Sequence, residues 1–182
     1  MTKPVLICLF SLIFTFSNTF AGERKLSIET QDINISYSVN GIVILTIQSK
    51  LRLQYDNFDN EYPKGVYIEC YDNQGQFICS VRANKAFQYH DTGIFELYND
   101  VEFLSIDKKN KVKRINTEAL LWNMKKKIIY NDYFVRMEID DDVISGYRIY
   151  AKQNLSYYKL DNPNGDISIT MSQKPKTVTK RK

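Results

Sequence analysis

Histidine is nearly missing from this chain: His90 is the only one in 182 residues. That scarcity excludes histidine-rich metal centres such as those of cupins, because a bound transition metal needs several nitrogen or thiolate ligands together. His90 lies in the polar turn QYHDTG, and no serine occupies a nucleophile-elbow context, so it reads as a solvated turn residue rather than a base. Glycine (7) and proline (4) are few, and neither a phosphate loop nor a nucleotide fingerprint occurs. The net charge of +4 is modest, and Lys and Arg are scattered without a stripe of interleaved aromatics, which argues against nucleic acid. Asp140-Asp141-Asp142 lacks the alternating ligand pattern of a calcium loop and reads as a hairpin turn. DNPNGD at 161–166 is likewise expected to turn, with Pro163 and Gly165 supplying the geometry. Nothing pairs two carboxylates for glycoside hydrolysis. These absences point away from an enzyme and imply no cofactor.

What is present is aromatic and β-branched. Tyr 13 and Phe 10, among runs of Ile, Val and Thr, favour sheet over helix, and the length suits one domain with a real core. The leader is different. A short positive start is followed by VLICLFSLIFTF and then small or neutral residues through Ala21, the form of a secretory signal. The apolar run is shorter than the ~20 residues of a spanning helix. Residues 1–21 are therefore a signal peptide or an N-terminal membrane anchor, and either assigns the mature chain to a compartment outside the cytoplasm. Residues 22–170 form the domain. Residues 171–182 are a basic tail with no apolar face, expected to be disordered and solvated.

The stretch NTEALLWNMKKK at 116–127 suits two structures. Leu120, Leu121, Met124 and Ile128 fall at helical spacing behind a capping Asn116 or Thr117, yet Trp122 before a lysine turn and IIY suits a hairpin. A repeat decides for the hairpin. Gly41 to Tyr55, Gly75 to Tyr89 and Lys108 to Trp122 are each 14 residues, and the aromatic anchors recur at 34 and then 33. Ser49, Ala83 and Asn116 each stand six residues before an anchor. Successive hairpins of this kind predict an all-β fold: a single open, twisted antiparallel β-jelly roll with little or no helix after the leader.

Its strands alternate apolar and polar residues. Val66, Ile68, Cys70, Phe77, Cys79, Val81, Phe95, Leu97, Val101, Phe103, Val135 and Met137, with Trp122 beside them, make one inward set. Such a set is either a closed core or a groove left partly unfilled for lipid. A turn near Asn73–Gly75 brings Cys70 and Cys79 onto one side of the sheet, as a cross-strand disulfide or as two small buried apolar residues.

The order of blocks carries a resemblance. Gly65-Val66 with CYDNQG, then SVRANKAFQY, LYNDVEF, NTEALLWN, KIIYNDYFVRM, DVISGYRI and NLSYYKL, resembles the LptC family of lipopolysaccharide export proteins, in the LptA/LptC (OstA-like) superfamily and in a Bacteroidota-like form. The likeness runs from about Ser38 to Ile169. It implies an apolar jelly-roll interior that holds lipopolysaccharide acyl chains on the periplasmic face of the inner membrane. It also implies receipt of lipid from an ABC transporter of LptB, LptF and LptG, and transfer to LptA or an equivalent bridge protein by docking of jelly-roll edges. ATP hydrolysis would belong to LptB. With a cleaved leader, a freely periplasmic LptA-like bridge is the neighbouring assignment. An exported structural β-protein, or a carbohydrate binder using Tyr157 and Tyr158, is the rival from outside the family. In Gly146-Tyr147-Arg148 the second glycine of the family's strand opening is replaced, which predicts a straighter backbone there.

Overall fold

The computed structural model describes residues 24–106, 111–139 and 142–166. The leader, the basic tail, the turn at 108–110 and the first two acids of the aspartate run lie outside the described residues. The strands are β1 (Leu26–Val39), β2 (Ile42–Tyr55), β3 (Asn60–Tyr62), β4 (Val66–Tyr71), β5 (Phe77–Ala83), β6 (Lys85–Tyr89), β7 (Ile94–Ile106), β8 (Val112–Asn123), β9 (Ile128–Tyr130), β10 (Phe134–Ile139), β11 (Asp142–Lys152) and β12 (Tyr158–Asp166). All twelve join one antiparallel sheet, and no helix occurs among the described residues. Among the described residues β1 pairs only with β2 and β12 only with β11, so there the sheet stays open, with two free edges.

The long strands each serve two layers. β2 pairs with β4 through Leu45–Gln48 and with β3 through Leu53 and Gln54. β7 likewise pairs with β6 and then β5, β8 with β10 and then β9, and β11 with β10 and then β9. One half of each long strand thus lies in a layer with β4, β5 and β10, and the other half in a layer with β3, β6 and β9.

The line along which the sheet folds is made of backbone irregularities. Asn99 and Asp100 take positive φ at a bulge in β7, and the Asn84 amide between β5 and β6 donates to the Asn99 carbonyl (3.0 Å). Ser49 Oγ, in the middle of β2, donates to the Gly65 carbonyl at 2.6 Å. Asn131 closes the corner between β9 and β10. Its Nδ2 donates to Thr117 Oγ1 and to the Ala119 carbonyl, both at 2.8 Å, and its Oδ1 accepts the Ile149 amide at 3.2 Å. Ser49, Ala83 and Asn116 all fall at or beside this fold line. Small or hydrogen-bonding side chains recur there because the ladder breaks and its groups need other partners.

Residues 112–137 form strands. β8 runs to Asn123, Met124–Lys127 turn, and β9 and β10 return, with Ile129 fully buried and Ile128 half-buried. The repeat anchors do not share a face, however. Trp122 is opposite Phe95, and Phe95 opposite Gln88, so Tyr89 lies one position out of register and faces outward with Phe87. The odd spacing of 33 explains this, because a one-residue slip transfers a side chain to the other face of a strand.

Two further expectations are corrected. DNPNGD is not a turn: β12 runs through it along the free edge, bulging at Asn162 (φ +48) and Pro163. Proline, lacking an amide donor, is tolerated on such an edge. Nor is the backbone straighter at Arg148. It takes φ +53, the left-handed conformation a glycine would adopt, where the β11–β12 register shifts, and it ion-pairs with Asp161 at 2.9 Å. Gly146 is obligatory for another reason: a Cβ there would lie 2.7 Å from the Asp161 carbonyl oxygen.

Candidate functional site

The two layers face each other across the inward set. Val66, Ile68 and Cys70 are buried while Tyr67, between them, is exposed, as the two-residue period of a strand requires. Twelve of the thirteen proposed groove residues, Trp122 included, are no more than 4% exposed. Phe77 is the exception and is half-buried. In the middle of the interior the layers meet without a gap. Trp122 of one layer packs on its neighbour Phe95 (ring centroids 5.7 Å) and edge-on against Phe103 of the other (6.0 Å). Tyr62 is also inside, its Oη donating to Gln88 Oε1 at 3.0 Å, and burial raises the pKa of its phenol.

Cys70 and Cys79 are direct partners on β4 and β5, and both are free thiols. The disulfide alternative is therefore corrected in favour of two buried thiols. Directly opposed residues hold their Cβ atoms about 4.5–5.5 Å apart, wider than the ~3.8 Å mean of a disulfide. The hydrogen bond with Cys79, and then burial, raise the pKa of Cys70, so neither chemistry nor exposure favours a thiolate.

Gln153, in the turn after β11, joins the layers. It accepts from Trp122 Nε1 at 3.2 Å, and its Nε2 lies 3.1 Å from Cys79 Sγ as donor. Beyond Gln153 the layers part around a cavity of about 1090 Å³, just above the ~300–1,000 Å³ usual for small-molecule pockets. Phe77, Ile78, Ile106, Ile128 and Ile139 give it apolar walls, and Lys111, Lys113, Lys126, Lys127 and Lys152 surround it. Its frame is made by turns. The Lys126 amide donates to Asn123 Oδ1 (2.8 Å), the Gln153 amide to the Lys127 carbonyl (2.9 Å), and Lys113 Nζ reaches the Leu155 carbonyl across the gap (3.4 Å).

The inward set is thus brought together as one interior; Phe77 of that set lines the cavity at its end, and Val66 lines a shallower depression beside Ile33 and Gly65. Sequence reasoning missed the other walls of the cavity and Gln153. Ile106, Ile128 and Ile139 each sit at a strand end with charged residues next in the sequence, where alternation stops being a guide. The lysines were legible only as turn residues. Nothing in a glutamine inside KQNLS marks it as a bridge between layers.

Fold and site together define an all-β jelly-roll protein with a folded sheet, an apolar interior and an opening at the Phe77 end. A family model described as "Lipopolysaccharide-assembly, LptC-related" matches residues 5–160. The chain belongs to that family, and with it to lipopolysaccharide transport. A search of the curated proteins returns no match.

Proposed function

We propose that this chain binds lipopolysaccharide on the periplasmic face of the inner membrane and passes it on through its apolar interior. It receives lipid from the LptB, LptF and LptG transporter and delivers it to LptA or an equivalent bridge jelly roll. The chain itself carries out no catalytic step, since LptB supplies the ATP hydrolysis. One observation supports this reading above the others: at the Phe77 end the apolar interior opens into a cavity with apolar walls instead of closing as a core. Burying a methylene contributes about 0.8 kcal/mol, so acyl chains enclosed along their whole length would be released slowly. Chains held in a short open stretch, next to a similar stretch on a partner, move at little net cost. The free edges along β1 and β12 are suited to that partner by strand addition.

Photocrosslinking residues at Phe77, Phe103 and Met137 test the reading in cells, with the outward Tyr150 as control. Lipopolysaccharide adducts are expected at Phe77 first, and at Phe103 and Met137 once lipid enters further. Adducts at none of the inward positions, or equally at Tyr150, would overturn it. A freely periplasmic LptA-like role is separated by the mature N-terminus: a cleaved leader favours it, and a retained one favours the anchored role.

A further inference from the structure

The lipid reading accounts for the apolar walls of the cavity but not for its rim. Counting the described lining residues, five are lysines and one is acidic, Asp72. Asp72 is engaged locally, accepting the amides of Gln74 (2.8 Å) and Gln76 (2.9 Å). Lys126, Lys127 and Lys152 are exposed; the first two lie in the turn after β8, and Lys152 ends β11 next to the turn that begins at Gln153. Those turns are tied to each other through the Gln153 amide and the Lys127 carbonyl, so the ammonium groups are carried on one braced rim. Lys127 itself sits in the left-handed region (φ +54), a tight turn that keeps the neighbouring lysines close.

Lys111 and Lys113 have partners within the protein. A purely hydrophobic ligand would not need the charge of Lys126, Lys127 and Lys152, and like charges gathered together repel unless an anion joins them. Among the described lining residues the cations are all lysines, which bind phosphate as point charges. Several mobile point charges around an apolar hollow fit a ligand with a phosphate-bearing head and hydrocarbon chains. We infer that the cavity is a headgroup seat, in which the rim lysines hold the phosphates of an amphiphile whose acyl chains lie against Phe77, Ile106, Ile128 and Ile139. The inference rests on the lipid reading above and adds to it the orientation of the ligand, phosphates outward at the β8–β9 and β11–β12 turns and chains directed toward Gln153.

The test uses the full chain and the triple variant K126Q/K127Q/K152Q, whose changes lie at exposed positions. Both are titrated with diphosphoryl lipid A, monophosphoryl lipid A, phosphatidylcholine micelles and inorganic pyrophosphate. The expected result is a Kd for diphosphoryl lipid A raised about tenfold or more in the variant, equivalent to about 1.4 kcal/mol. The loss should be smaller for the monophosphoryl form and absent for phosphatidylcholine, and wild-type affinity should fall as salt rises. Replacement by arginine (K126R/K127R/K152R) should restore binding. Unchanged affinity in the glutamine variant, with lipid adducts at Phe77 retained, overturns the headgroup seat and leaves the lipid reading standing. Failure of the wild type to form those adducts overturns both. Pyrophosphate bound as tightly as diphosphoryl lipid A makes the rim a free-phosphate site and overturns the amphiphile.

Discussion

The middle of the interior and its lysine-rimmed end are built from the same strands and behave oppositely. At the middle, Phe95, Phe103 and Trp122 are all at 0% exposure, and the two layers interlock. A few residues along, the strands that carry Phe103 and Trp122 end at Ile106 and at the lysine turn, and the layers separate around open space. Apolar alternation holds through the middle and lapses at the end, where Ser105 is the next buried residue after Phe103, and there the side chains of the two layers no longer interlock. Stability therefore resides in the middle and capacity for a ligand at the end. The comparison breaks most severely with Trp122→Ala. Removing a large, fully buried ring that touches both layers should cost about 3–5 kcal/mol. Denaturant unfolding measures it, and a loss below about 1 kcal/mol would mean that the middle is as loosely filled as the end.

The fold line decides how far apart the layers can lie, and Asn131 is its most committed side chain. Asn131→Leu would keep the volume but leave the Ile149 amide and the Ala119 carbonyl without these partners in a buried place. A loss of about 2 kcal/mol is expected, with β8 and β11 showing faster amide exchange around Ala119 and Ile149 than around Ile115. Wild-type exchange at those amides would show that the β8–β11 corner holds without the side chain.

The division between middle and end also explains what could be read from the residues. The inward set was legible because strict alternation over Val66–Cys70 or Val101–Phe103 specifies a face whatever the opposite layer does. The hairpin at 112–137 was legible because its spacing repeats earlier ones, although Tyr89 and Trp122 proved to lie on opposite faces. Bulges were not legible. DNPNGD has turn chemistry in every residue, yet its pairing with β11 past Gly146 makes it an edge strand. Arg148 adopts a backbone that its side chain disfavours, because the corner, the Asp161 ion pair and the hydrogen bond its amide donates to the Tyr133 carbonyl hold it there. The cavity was illegible for a related reason. Its apolar walls come from the ends of four strands, β5, β7, β9 and β10, and only the folding of the sheet brings them together.

Phe77→Ala is the mildest of these changes and the one that sharpens the comparison most. Phe77 is half-buried at the start of β5, with Tyr71 edge-on to its ring at 6.1 Å. Its removal enlarges a space that is already open and leaves no sealed void, so unfolding should lose only about 1 kcal/mol. Lipid capture by a photocrosslinker at Ile106 should nevertheless fall well below wild type, because the ring supplies one apolar wall of the cavity. A core phenylalanine would show the reverse, a large loss of stability with capture following the folded fraction. If Phe77→Ala destabilises as much as Trp122→Ala, the end is simply more core, and the opening beside it is not where lipid enters.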